Sequence, residues 1–333
     1  MAGYFDSTTL DGWLQKKAIP YFFTRQALFR RLMDGGNWEI QHGKTGVQWN
    51  VRLSGSTIAS YGNYATFTAG ESGDFSTAYL PWGSLYATAA ISGKEMERQG
   101  AAGDFMAGTL TPMHAQILQD LRDDFSWRVA TQFTSGDGTA VNSGSGVGIL
   151  GYQQSVSTSP STGTYANISR VTVSDHRNQQ FAATSGPSSS AAQDAWWCVL
   201  NGKYQGMRKM GPNKLIKPDI LVANAGPLVM IKNKGLVQNT SLGANVKSIE
   251  TIEGMEIDQP DDDATSATVY MLASSVFKII SVKPRSEFFK LREVTNPGGD
   301  HVHEGDTALV IRTPDFQLVN TFPKVNVAVT SFS

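Results

Sequence analysis

The sequence predicts an α+β fold built around one long helix, and three patterns carry that expectation. Val47, Trp49, Val51 and Leu53 alternate with Gln48, Asn50 and Arg52, the period of a half-buried strand. Leu110, Met113, Ile117, Leu118, Leu121, Phe125, Val129 and Phe133 recur at helical spacing. The last fifty or so residues break into five strand-like runs, VFKIISVKP, FFKLREVT, ALVIRT, FQLVNTF and VNVAVTS.

Composition agrees with this class. A chain of 333 residues holds about two domains at ~150 residues each. Charged residues make up 17%, against a usual ~25%, and 33 glycines point to turns and long loops. With 7 Trp, 16 Phe and 10 Tyr the chain is too aromatic to be disordered. A net charge of -1 does not suit a dedicated nucleic-acid binder, which is normally basic. The single cysteine, Cys198, leaves no internal disulfide or multi-cysteine zinc site, and fits a reducing cytoplasm. No apolar run reaches the ~18 residues of a membrane span. The first residues, MAGYFDSTTLDGW, lack the basic start and apolar core of a signal peptide.

In chain order, Phe22, Phe23, Leu28, Phe29, Leu32 and Met33 predict a helical N-terminal segment closed by Gly35-Gly36, with Pro20 separating a shorter helical piece at 9–18. Lys16, Lys17, Arg25, Arg30 and Arg31 outnumber its acids, so the segment is either a solvated face or a basic arm turned towards something anionic. Residues 37–80 follow as a long two-stranded excursion with a wide polar tip, too extended to be stable without a partner. The long helix begins near Thr111-Pro112, a cap and a first helical residue. Running from 112 to about 134 it would be ~35 Å long. It stops at Gly136-Asp137-Gly138, and Gly136 is its expected terminator. Residues 139–190 read as a polar loop region holding one strand, ISRVTV at 168–173. A helix follows over AAQDAWWCVLNGKYQGM, where Cys198 is a small core residue. A buried strand at 220–223, a turn and a helix over 226–232 give an α/β layer, and 248–258 and 267–273 add strands.

The chain offers little for catalysis. Gly146, Gly148 and Gly151 have the spacing of a dinucleotide-binding loop, but a polar loop precedes them and no helix is predicted after them, so a loop needing permissive backbone is the better reading. His301 and His303, with Asp300, Glu304 and Asp306, lie in a turn without a third distant ligand. The aspartates of DQPDDDAT at 258–265 lack the alternate spacing and glycine of a calcium loop. No Gly-x-Ser-x-Gly elbow is present. The expectation is no enzyme, no cofactor and no metal.

Taken in order, the segments resemble the major capsid protein of tailed bacteriophages, the Hong Kong 97-type fold. The residues that carry the resemblance are the long helix running into FTSGDGTA (133–140) and on to GVGILGY (146–152), then KPDILVANAGPLVMI (217–231) and YMLASSVFKI (270–279). The resemblance implies an N-terminal arm (1–34), an extended loop (35–80), a peripheral domain (81–150 and 281–333) with the spine helix, and an axial domain (151–280). It implies a self-assembling shell of hexamers and pentamers around double-stranded DNA, a virion location, and host-cytoplasmic assembly. It also implies portal and scaffolding partners, a possible decoration protein, non-specific contact with packaged DNA, and no membrane.

On that analogy Trp49 and Arg52, with Glu71 and Asp74 near the loop tip, meet the adjacent subunit. Lys16, Lys17, Arg25, Arg30 and Arg31 face the genome or a neighbour. Because the arm begins almost at Met1, a separate scaffolding protein and no maturation cleavage are expected. Lys44 is the only lysine from 35 to 80, and no acceptor asparagine is identifiable, so covalent crosslinking is not expected. The alternatives are a bacterial nanocompartment shell of encapsulin type with the same fold, an α/β enzyme, and, more weakly, a tail-tube or fibre protein.

Overall fold

The computed structural model describes residues 27–34, 36–42, 45–53, 60, 75–91, 112–141, 146–209, 214–241, 251–252, 254–259, 267–284, 290–295 and 307–332. In chain order the elements are α1 (Ala27–Asp34), β1 (Trp38–Ile40), β2 (Gly46–Arg52), β3 (Phe75–Pro81), β4 (Tyr86–Ile91) and the spine helix α2 (Pro112–Ser135). The middle of the chain supplies a short α3 (Tyr152–Ser155), β5 (Thr164–Tyr165), β6 (Ile168–Ser169), β7 (Gln179–Ala182), α4 (Ala191–Gly206), β8 (Arg208–Lys209), β9 (Leu215–Ile216), β10 (Ile220–Val222) and α5 (Ala225–Ser241). The remainder is β11 (Thr251–Ile252), β12 (Met255–Asp258), β13 (Val269–Leu272), β14 (Phe277–Ser281), β15 (Lys290–Thr295), β16 (Thr307–Arg312), β17 (Phe316–Asn320) and β18 (Val327–Thr330).

These elements form two compact units. The first draws on Met1–His42, Gly83–Gly151 and Ile279–Leu318, the second on Gly43–Trp82, Tyr152–Lys278 and Val319–Ser333. In the first unit, α2 follows the expected periodicity. Leu121, Phe125, Val129 and Phe133 are buried at four-residue steps, with Ser126, Ala130 and Thr134 on the neighbouring row. The buried hydroxyls are satisfied within the helix: Ser126 Oγ donates to Asp123 O at 2.9 Å and Thr134 Oγ1 to Ala130 O at 3.2 Å. The ring of Phe133 meets Phe29 of α1 edge-on at 4.8 Å and stacks on Phe316 at 5.8 Å. An antiparallel sheet of order β15-β16-β4 and the parallel pairing of β1 with β14 complete this unit.

The second unit is organised by a six-stranded sheet of order β11-β12-β10-β13-β18-β7. Its strands are nearly all apolar because both faces are covered. On one face Ala195, Cys198 and Val199 of α4 and Leu228 and Ile231 of α5 join Leu221, Met255, Met271, Val327 and Val329. On the other, Tyr270 meets Tyr152 edge-on at 5.6 Å. Cys198 is fully buried, its thiol directed at Ala183 O. Burial pushes that thiol up to about 11.

The expected strand at 168–173 shrinks to the two residues of β6. Beyond Ser169 the backbone folds back, Val173 N bonding Ser169 O at 3.1 Å, and a 3-10 turn forms at Ser174–His176. One arginine fixes this turn: the Arg177 side chain donates to the carbonyls of Arg170 and Val171. The local side-chain bonds outcompete the β-propensity of Val171-Thr172-Val173. The helix expected at 226–232 is longer, reaching Ser241, and β5, β7, β8 and β9 fall where only loop was expected or inside longer segments.

Candidate assembly surfaces

Three local structures stand out as places where this chain could present a defined surface. The first is the turn that ends the spine helix. Gly136 N closes the last helical bond on Gln132 O at 3.0 Å, but the left-handed residue of the turn is Gly138 (φ +81°). Between them Asp137 Oδ1 accepts from Thr139 N at 2.9 Å and Thr139 Oγ1 at 2.6 Å. Those bonds hold the Asp137 carboxyl below its ordinary range. The strand-like segment 146–151 then runs back along the turn, with Asp137 bridging Leu150 and Gly151 N bonding Gly136 O at 2.8 Å. At Gly148 a Cβ would lie 2.1 Å from Thr139 O, so only glycine permits this approach. Gln317 clamps the segment from β17, accepting from Leu150 N at 3.0 Å and donating to Gly148 O at 3.1 Å. The glycines therefore serve close backbone packing. Among the described residues the only helix near them downstream is the four-residue α3, not a phosphate-binding helix.

Beside this turn lies a groove of about 700 Å³ lined by α2, β4 and the 146–147 segment. Tyr86 is 69% exposed there, and Trp127 and Val147 are also exposed, with the Arg128 guanidinium 5.4 Å from the Trp127 ring.

The second structure is the hairpin β2–β3, held by seven antiparallel residue pairs from Gly46↔Pro81 to Arg52↔Phe75. It is rooted in the second unit. Val47, Ala78 and Leu80 are buried, and Tyr79 N donates to Ala166 O at 3.0 Å in the β5–β6 turn. That turn places Ala166 (φ 52°) and Asn167 (φ 63°) in the left-handed region, the pattern of a tight two-residue hairpin. Trp49, expected to meet a neighbour, is half-buried with its ring centroid 6.4 Å from Tyr165 of its own unit. Arg52 is exposed at the distal end, opposite Phe75, which is 70% exposed. Glu71 and Asp74 lie outside the described residues.

Under the hairpin root sits a cluster that the sequence did not announce: Tyr165, Arg170 and His176. His176 stacks on Tyr165 at 5.4 Å, and Arg170 lies 5.7 Å from the same ring. Arg170 is buried and donates to Gln154 O and Ser155 O at the end of α3. Burial lowers its affinity for a proton, partly offset by Tyr165. Burial also pushes His176 down to about 4, opposed by its bond to the Tyr165 backbone and assisted by the Arg170 charge. Tyr165 is raised well above its ordinary value, chiefly by burial. Arg170 lies inside ISRVTV, a run with strand chemistry, and its charge in that run is the signal the sequence offers.

The third is α1, where Phe29 and Leu32 are buried and Arg30 and Arg31 are half-buried. Lys16, Lys17 and Arg25 lie outside the described residues, as do Lys44, His301 and His303. Among the described residues no group of three His, Cys, Asp or Glu could hold a metal ion, and no helix is long and apolar enough to cross a membrane.

A spine helix locked into a glycine-rich turn, a paired hairpin and a unit centred on a six-stranded sheet are the elements of a known fold. The fold is the Hong Kong 97-type fold of tailed-phage capsid proteins. The capsid chain of cyanophage A-1(L) matches with a TM-score of 0.57 at 13% identity, over 90% of this chain and 92% of that one. The capsid of an empty GTA particle matches at 0.52 and 12% identity, over 92% and 89%. The capsid of the Myoviridae phage XM1 matches at 0.50 and 8% identity, over 92% of each chain. No protein-family model matches the chain, and no curated protein matches its sequence.

Proposed function

We propose that this chain is a major capsid protein, assembling as hexamers and pentamers into a closed icosahedral shell around packaged double-stranded DNA. The observation that carries the reading is the near end-to-end correspondence of fold with phage capsid chains. The physical features suit it. A ring of head-to-tail contacts requires different surfaces on the two sides of a subunit. The hairpin presents Arg52 and exposed Phe75 at its distal end, and the first unit presents the groove of Tyr86 and Trp127. The basic residues Lys16, Lys17, Arg25, Arg30 and Arg31 are candidates for contact with the genome or a neighbour. Near-neutrality suits a wall that must not grip DNA during packaging. A scaffolding protein and a portal would act as partners.

Electron microscopy of the expressed protein, alone and with its neighbouring genes, tests the reading. Closed shells, or rings that close when a scaffold is added, are expected. A uniformly small monomer under every condition would overturn it. Enzyme cargo in place of DNA would turn the reading to a nanocompartment. Deleting residues 56–72, which spares β2 and β3, should leave a folded subunit that no longer closes shells. Normal assembly of the deletion variant would remove the hairpin from this account.

A further inference from the structure

Positive charge collects in one stretch of the second unit. From 195 to 218 there is no acidic residue, while Lys203, Arg208, Lys209, Lys214 and Lys217 are basic. A chain whose net charge is only -1 here carries five cations without one anion.

The stretch is held in place by its own packing. It forms the two-stranded ribbon β8–β9, in which Lys209 pairs with Leu215 and Arg208 with Ile216. Direct antiparallel partners share a face. Ile216 is buried, so the Arg208 face turns inward, where Arg208 donates to Met207 O at 2.8 Å. Lys209 and Leu215 face solvent, and Lys214 and Lys217 are exposed beside them. At Gly206 a Cβ would lie 2.7 Å from Pro218 Cγ, so the end of α4 presses on the segment that carries Lys217. Tyr204, in the last turn of α4, is 63% exposed and offers a hydroxyl donor.

The lysines have no anion at hand. Among the described residues none of Lys209, Lys214 and Lys217 forms an ion pair. The nearest acid in sequence, Asp219, is engaged: its carboxylate accepts from Ser274 N at 2.7 Å and Ser274 Oγ at 2.5 Å. A second copy offers no matching block among its described residues either. On α2, Arg122 stands between Asp120 and Asp123, and Arg128 follows Asp124 one turn on. A polynucleotide fits better. Lys214 and Lys217 are separated by about 10 Å of extended chain, and Lys209 lies across the ribbon, about 5 Å between backbones. Over about 10 Å of its axis a duplex presents about six phosphate charges.

We propose that the ribbon β8–β9 is a contact site for the phosphate backbone of double-stranded DNA, engaged by Lys209, Lys214 and Lys217. Ammonium groups on flexible stems act as point charges and make no bidentate contact with base edges, so the site reads charge and not sequence. Three contacts give weak binding that salt weakens further, compatible with a wall that lets DNA move during packaging. The inference deepens the proposed shell function, which supplies the duplex, and rests on it.

The test uses the full chain as unassembled subunits and a short fluorescent duplex of mixed sequence, with anisotropy read from about 50 to 200 mM salt. K209Q/K214Q/K217Q should bind more weakly at low salt, with an unchanged circular dichroism spectrum. Its plot of log affinity against log salt should be shallower by about 2.7, so the wild type should lose about 40-fold more affinity than the variant across that range. K232Q/K234Q, on α5 of the same unit, should keep the wild-type slope. Equal slopes for the wild type and the ribbon variant would overturn the proposal. So would an equal loss per lysine in the α5 variant, which would mean diffuse charge and no site. If the ribbon variant bound duplex normally but failed to assemble in electron microscopy, the ribbon would be a protein-docking surface and the proposal would fall. Failure of the wild type itself to form shells would refute the shell reading instead, a distinct result.

Discussion

Replacing His176 by Phe should remove a pH dependence that this imidazole imposes on the second unit. His176 is buried against Tyr165, with the Arg170 cation nearby and Asp175, the adjacent acid, bonded to Lys324. Its folded value is near 4, against an ordinary value of 6.5. Between those values the unfolded chain binds a proton that the folded chain refuses, so stability rises with pH across that window. The contribution is fully present above pH 6.5 and is lost as pH falls towards 4. A separation of two to three pH units corresponds to about 3 kcal/mol at 1.36 kcal/mol per unit.

The phenyl ring keeps the stacking volume and removes the titration. It also deletes the bond to the Tyr165 backbone, a cost that does not vary with pH. Urea unfolding of dissociated subunits, followed by tryptophan fluorescence at pH 7, 6, 5 and 4, isolates the effect, because the carboxylates common to both proteins cancel in the difference. The stability advantage of wild type over His176→Phe should shrink by about 3 kcal/mol from pH 7 to pH 4. Parallel pH profiles for the two proteins would refute the assignment of a buried neutral imidazole.

Three further outcomes follow from the packing. Phe133→Ala removes the ring held between Phe29 and Phe316 and should cost about 3–5 kcal/mol in chemical denaturation. Gly148→Ala forces a methyl against Thr139 O and should cost about 1–3 kcal/mol, whereas Gly146→Ala, with open space around it, should be close to neutral in the same denaturation assay. Cys198, buried and with its thiol pushed up to about 11, should resist a thiol-reactive dye at pH 8 until denaturant is added; rapid labelling of the folded chain would contradict its placement.

The elements legible in the sequence are those whose pattern repeats. The spine helix shows four buried residues at four-residue steps, and the hairpin strand β2 alternates over seven residues. The apolar strands β10, β13 and β18 announce a sheet covered on both faces. What escaped has no period to read. β5, β6, β8 and β9 are two residues long, and their pairing depends on turns made elsewhere. The run ISRVTV has strand chemistry, yet the Arg177 side chain, bonding the carbonyls of Arg170 and Val171, holds it in a turn. The C-terminal half of α5 carries Asn233, Gly235 and Asn239, weak helix formers that hide the helix from a reading of the sequence. The site followed the same division. The hairpin was visible, but the inward turn of Trp49 onto Tyr165 was not, because a half-buried face does not say which partner buries it.

The place of β18 has a consequence for how the protein is made. Residues 327–330 lie between β13 and β7, antiparallel to the one and parallel to the other, so the six-stranded sheet cannot close until they have left the ribosome. The chain also crosses between its two units at 42–43, 82–83, 151–152, 278–279 and 318–319, leaving neither unit a contiguous stretch that could mature early. Contacts so distant in sequence make folding slow. A nascent chain that has not yet exposed residues 327–330 therefore presents an unfinished sheet. Under the proposed shell function, assembly would wait until these residues are free to join the sheet.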